Sequence, residues 1–190
     1  MKRRNGFWTF GLIRLICLCL VCVLSLTLLG FPSVKSAQAA GQVYYIDNVN
    51  GRDTNNGLSD SAAWQTLAKV NSFSFNPGSQ ILLKRGCEWQ ETLRPSTSGT
   101  ETNPILFGAY GSGNKPLLNG LKQQRNVNAV DRQYLVFQDL DCRNGTSYGM
   151  YFEGTGSNLS GHIVVHNCTI SGAASTGIEF LNSSYNLVEN

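Results

Sequence analysis

Charge is scarce in this chain: Asp, Glu, Lys and Arg make up 14% of its 190 residues. Long solvated helices need more than that. With 20 glycines and many Asn, Ser and Thr, the composition suits short strands joined by tight corners. Acidic residues are missing altogether from the first forty positions, which hold five of the fifteen basic ones (Lys2, Arg3, Arg4, Arg14 and Lys35). From Gly41 onward ten basic and twelve acidic residues leave a net charge of −2, which excludes the basic footprint of a nucleic-acid binder. Cysteine is also thin there, since Cys17, Cys19 and Cys22 lie in the opening segment and leave only Cys87, Cys142 and Cys168.

The opening segment has its own pattern. Lys2-Arg3-Arg4 precedes an apolar run over 15–31, and Ala37-Gln38-Ala39 follows with small residues at both positions that a signal peptidase reads. This predicts a secretory signal peptide over 1–39 and a secreted or cell-surface protein. An uncleaved membrane anchor is the alternative; the run falls short of the ~20 residues of a spanning helix, and Arg14 blocks its extension. Residues 40–190 then form about one domain, with no membrane contact after cleavage.

What the chain has in quantity is repetition. Laid over 162–170, residues 134–142 match in class at an offset of 28, and a further shift of 23 puts 187–190 on 164–167. Gly149, Met150, Tyr151 and Phe152 likewise lie on Gly177, Ile178, Glu179 and Phe180. A period in the twenties made of short alternating strands is the mark of a strand solenoid. Alternation points Leu135, Phe137, Ile163 and Val165 inward on one sheet, and Met150, Phe152, Ile178 and Phe180 inward on another. Cys142 stands where Ile170 does and Cys168 where Leu140 does. A diagonal near ~8 Å separates two such sites on neighbouring coils, too far for a disulfide, so free buried thiols are expected.

Ahead of the clear repeats lies Val43-Tyr44-Tyr45-Ile46, β-prone, and then a loop over 47–59 rich in side-chain oxygens. Asp53, Asn55 and Gly57 invite a calcium reading, but the spacing is not that of an EF-hand, and Asn, Asp and Gly also gather wherever a loop turns. Trp64, Leu67, Ala68 and Phe73 recur at helical spacing, with Asp60 or Ser61 as a cap. This predicts a helix of about ten residues that covers the first coil, with Trp64 filling that lid. Ile81-Leu82-Leu83, Glu91-Thr92-Leu93, 104–110 and 116–120 are the expected early strands.

Tyr44-Tyr45-Ile46-Asp47, the Gly51/Asp53/Asn55/Gly57/Ser59 loop, Trp64 with Thr66-Leu67, Pro77-Gly78, Gln80-Ile81-Leu82, Lys84-Arg85-Gly86 and Asn103-Pro104-Ile105 through Ala109-Tyr110-Gly111 come in an order that resembles the right-handed parallel β-helix proteins of the pectate-lyase-like superfamily. The resemblance implies an all-β, right-handed parallel β-helix with a short N-terminal capping helix. It also implies a polysaccharide substrate or ligand, a monomer when full length, and Ca²⁺ as the cofactor of many relatives. The leading expectation is a uronate lyase, in which a base takes the C5 proton while a cation steadies the developing charge. A glycoside hydrolase using two carboxylates and a non-catalytic carbohydrate-binding β-helix remain alternatives. The paired aspartates and Gly-His-Gly pattern of the β-helix polygalacturonases are absent, and no catalytic base or metal ligand is assignable. The chain is expected to continue past Asn190, since no capping segment follows.

Stacking nominates the candidate residues. Gln138, His166 and Glu189 share one outward row, where His166 beside Glu189 is an acid/base candidate, and Tyr151 with Glu179 share another that suits sugar contact. A solvated face with incidental neighbours explains the same rows. Asp139, Asn167 and Asn190 form a corner row with an architectural role. Sequons occur at Asn144, Asn158, Asn167 and Asn182.

Overall fold

A computed structural model of the protein describes residues 41–190 except Asn158. The expected signal peptide with Cys17, Cys19 and Cys22, and the Asn158 sequon, therefore lie outside the described residues. The order of elements is β1 (Val43–Ile46), a 3₁₀ turn (Asp60–Ala62), α1 (Leu67–Ser72), β2 (Gln80–Lys84), β3 (Glu88–Trp89), β4 (Ile105–Tyr110), β5 (Leu117–Asn119), β6 (Arg125–Val130), β7 (Gln133–Gln138), β8 (Asp141–Arg143), β9 (Tyr148–Glu153), β10 (Ser160–His166), β11 (Thr169–Ser171), β12 (Thr176–Leu181), β13 (Ser183–Ser184) and β14 (Leu187–Glu189).

All named strand pairs are parallel and form three sheets: β1-β2-β4-β7-β10 with β13 and β14 both on β10, then β3-β5-β8-β11, and β6-β9-β12. We call them A, B and C. Three successive coils, β4-β5-β6, β7-β8-β9 and β10-β11-β12, each contribute one strand to each sheet, and the chain winds as a right-handed parallel β-helix. The repeat offsets are the registers themselves: Val164 pairs with Val136 at 28 and with Leu187 at 23, and Phe180 pairs with Phe152.

Alternation sorts the side chains as the pattern requires. Ile105, Leu135 and Ile163 are fully buried in one inward ladder of sheet A, and Ile81, Phe107, Phe137 and Val165 form the next. Phe107 stacks on Phe137 at 5.4 Å between centroids, and Phe152 on Phe180 at 5.1 Å. The corners recur on the two aligned rungs. Asp139 (φ 58°) and Asn167 (φ 46°) turn the chain from sheet A toward B, and Asn144 (φ 58°) and Gly172 (φ 66°) turn it from B toward C. Asn and Asp tolerate this left-handed backbone better than other residues, and Asn167 Nδ2 donates to Asp139 Oδ1 at 2.5 Å, so the corner row is tied along the axis. Gly149 has a different cause: a Cβ there would sit 2.5 Å from Gly177 O on the next rung.

The cap departs from expectation. The helix has six residues rather than ten and begins at Leu67, with Thr66 as its N-cap, while Ser59 caps the 3₁₀ turn. Neither Asp60 nor Ser61 starts a continuous helix, because Trp64 is drawn into strand pairing: its N–H donates to Tyr45 O and its carbonyl accepts from Asp47 N. Ala68 is exposed, and Leu67 and Val70 provide the buried face. Trp64 does fill the lid: 2% exposed, it stacks on Tyr44 and Phe73 at 5.1 and 5.0 Å. The 47–59 loop is held by its own carboxylates. Asp53 accepts from the N–H groups of Gln65 and Thr66 and from the Thr66 hydroxyl, and Asp47 accepts from Val49 and Asn50.

One expected strand moves. Glu91, Thr92 and Leu93 are not a named strand; the pairing segment is β3, and Leu93 makes an isolated bridge to Val127. Glu91 instead lends its carboxylate to the Leu67 and Ala68 N–H groups at the start of α1. Cys87, Cys142 and Cys168 are free, and burial pushes the Cys142 thiol well up.

Candidate functional site: two outer sheet faces

The nominated pair on sheet A is brought together. Glu189 pairs with His166 in register, and His166 with Gln138, so the three side chains stand in one outward row. His166 Nδ1 lies 3.3 Å from Glu189 Oε1, with both side chains about half exposed (41% and 50%), but without the alignment of a hydrogen bond. The second nominated pair is also in register, Glu179 beside Tyr151 on sheet C. Tyr151, however, is buried at 6% exposure, and the Arg125 guanidinium sits 3.6 Å over its ring. Burial, then a hydrogen bond with Glu153, raises its phenol pKa. The ring is therefore a seat for Arg125 rather than a bare platform for a sugar.

Near the cap, sheet A carries a polar cluster that rows alone did not disclose. Lys84 and Tyr110 pair in register. Lys84 Nζ lies 2.7 Å from Asp47 Oδ2 and 3.7 Å from Asp60 Oδ1, and the Tyr110 hydroxyl donates to Asp60 at 2.9 Å. Burial alone would raise the Asp47 carboxyl, but the Lys84 ammonium and the Asn50 and Val49 N–H groups outweigh it and hold the pKa far below the usual range. Burial and the bond to Asp60 push the Tyr110 phenol far up. Groups pinned this far from neutrality are poor proton shuttles. They lock the cap to the second and third coils, and Asp47, Lys84 and Tyr110 all belong to the motif string that carried the resemblance.

The outer face of sheet B holds a groove of about 380 Å³ lined by Glu88, Lys115, Asp141 and Arg143 among others. Glu88 pairs with Leu117 and Leu117 with Asp141, so the two carboxylates occupy one row two rungs apart. Two ladder steps of ~4.8 Å put their Cα atoms ~9.6 Å apart. Asp141 accepts a two-point contact from Arg143, at 2.9 Å from Nε and 2.6 Å from Nη2. Glu88 Oε1 accepts from Asn119 Nδ2 at 2.8 Å. At the rim Lys115 Nζ donates to Asn167 O at 2.6 Å, and Arg85 pairs with Asp139 at 3.0 Å. The sequence signal for this groove was faint, because Glu88 sits in an early, irregular coil outside the aligned repeats.

Calcium, implied by the resemblance, finds no fitting donor set here. Among the described residues no three His, Cys, Asp or Glu side chains come together as a metal site, and the oxygens of Asp47, Asp53 and Asp141 are already engaged by N–H groups or cations.

No family model matches the chain. Over 92 residues, 44% of the chain, it is 35% identical to a lacto-N-biosidase of Bifidobacterium longum subsp. longum, a stretch that spans 6% of that protein. Among solved structures, pectate lyase Pel9A superposes with a TM-score of 0.63 and 24% identity, covering 80% of this chain and 39% of that one. The GH136 lacto-N-biosidase from Eubacterium ramulus superposes with a TM-score of 0.62 and 20% identity, covering 75% and 36%. The chain thus spans well under half of the proteins it matches, and what these likenesses carry is its architecture, a right-handed parallel β-helix.

Proposed function

We propose that this protein acts on polysaccharide, and that hydrolysis of a glycosidic bond is the better reading than β-elimination on a uronate. The observation that carries it is the sheet B groove, with Glu88 and Asp141 in one row two rungs apart. Glycoside hydrolysis commonly uses two carboxylates across the bond, about 5–5.5 Å apart with retention and about 6.5–9.5 Å apart with inversion. Side chains on Cα atoms ~9.6 Å apart reach the longer separation. In this reading Glu88 delivers the proton to the leaving oxygen, and Asp141, oriented by the Arg143 fork, faces it across the sugar. The stretch shared with a lacto-N-biosidase supports hydrolysis. Export, read from the opening forty residues, fits a polymer met outside the cell.

The test is product chemistry. New reducing ends without an ultraviolet-absorbing unsaturated uronide are expected, and Glu88→Gln is expected to lower kcat by about a hundredfold or more. Release of unsaturated uronide would restore the lyase. A second reading, binding without turnover, is favoured by one observation: both Asp141 oxygens are held by Arg143. Sugar binding that survives Glu88→Gln, with no product from any polymer, would select it. His166→Ala with unchanged turnover discards a catalytic role for the pair on sheet A.

A further inference from the structure

Three cations of the described residues are paired with carboxylates: Lys84 with Asp47, Arg85 with Asp139, Arg143 with Asp141. One place instead gathers three that are not. A cavity of about 260 Å³ beside β6 is lined by Arg94, Lys122 and Arg125 together with the amides of Gln124 and Asn128, and no acidic residue lines it. Among the described residues none of the three cations forms an ion pair. Arg94 comes from the preceding coil and meets Lys122 and Arg125 because Leu93 bridges Val127, with Asn128 N donating to Leu93 O at 2.9 Å. Three like charges converging on one cavity repel each other, in a domain whose remaining charge is acidic.

Arg125 is the fixed member. Its guanidinium carbon lies over the Tyr151 ring, 3.6 Å from the centroid, with the Tyr148 centroid at 5.5 Å, and Nη1 donates to Asn128 Oδ1 at 3.0 Å. Its Nε is buried and makes no hydrogen bond, a costly state for a charged donor. Stacking on an aromatic face leaves the in-plane N–H edges of a guanidinium free to grip an oxyanion at two points. Arg94 and Lys122 are exposed, so they are free to fold onto a ligand.

We propose that this cavity binds an oxyanion carried on a saccharide, a sugar carboxylate or a sugar sulfate. It lies beside sheet C, apart from the sheet B groove, and its occupancy does not depend on hydrolysis. The amides of Gln124 and Asn128 would take sugar hydroxyls while the three cations take the charge.

The test titrates the full chain, by calorimetry, with a uronic-acid trisaccharide, a sulfated disaccharide, a neutral trisaccharide and inorganic sulfate. At least one charged sugar is expected to bind tenfold or more tighter than the neutral one, and whichever does so names the oxyanion. Binding should weaken as salt rises. The double variant R94Q/K122Q, altered only at exposed positions, is expected to weaken it by about tenfold or more, the loss of a charge-assisted contact. Arg125→Lys keeps the charge but removes the fork and is expected to weaken binding too, with the melting temperature checking that the fold is intact. Glu88→Gln should leave it unchanged, which separates this site from the groove. Equal affinity for neutral and charged sugars, inorganic sulfate binding as tightly as the sulfated sugar, or no effect of R94Q/K122Q would each overturn the proposal.

Discussion

The cap end and the last described rung share parallel strand pairing yet differ in how deeply their apolar side chains lie. At the cap, Trp64, Leu67, Ile81 and Leu83 are at most 2% exposed, sealed beneath α1 and the 47–59 loop. On the last rung Ile178 and Phe180 are only partly buried, and Leu181, Leu187 and Val188 are 42%, 48% and 54% exposed. Strand register alone does not bury a ladder. In a solenoid each rung is covered by its neighbour along the axis, so apolar area leaves water only where a coil or a cap lies on both sides.

The polar groups differ in the same way. Asp47 at the cap is 1% exposed and holds Lys84 and two backbone N–H groups, whereas Glu189 on the last rung meets only His166, half in solvent. The converging donors hold the Asp47 carboxyl far below its ordinary range against the opposing effect of burial.

The sharpest way to break this contrast is Trp64→Ala, which empties the lid. It should cost about 3–5 kcal/mol in urea unfolding. The matching truncation on the last rung, Phe180→Ala, should cost about 1 kcal/mol, because the ring is only partly buried. Equal losses would mean that the cap does not bury its apolar side chains more effectively than the last described coil.

Asp47→Asn should follow in size and act through pH. The folded-state pKa of Asp47 is depressed, so its contribution is complete above the ordinary carboxylate value of ~3.9 and disappears as pH falls toward the folded value. The variant is expected to be less stable at neutral pH and to lose less than the parent during acid titration followed by circular dichroism. Parallel acid limbs would remove Asp47 from the account. Smallest of all is Glu189→Gln: a His–Glu contact half open to solvent should shift stability by less than about 1 kcal/mol.

Much of the architecture was legible in the residues. The offsets of 28 and 23, the inward Leu135, Phe137, Met150 and Phe152, and the left-handed Asp139 and Asn167 all follow from alternation and spacing, which are local properties of a strand and its corner. The cap helix was read too long because Trp64, Leu67 and Ala68 keep helical spacing, while the backbone of Tyr45 and Asp47, about twenty positions earlier, claims Trp64 for pairing. Tyr151 was placed in its row, but the side chain that covers it, Arg125, comes from the preceding coil, outside the aligned repeats. His166 and Glu189 were found because both lie within those repeats. Glu88 and Asp141 escaped because Glu88 does not.

Sequence by itself determined the winding: residue period dictates strand register, and register dictates which residues are vertical neighbours. Tertiary structure alone decided the chemistry of the outer faces. Coil lengths vary and long side chains reach across rungs and corners. Whether Lys84 meets Asp47, or Arg125 lies over Tyr151 without an acid partner, is therefore set by distances in space that no periodicity encodes.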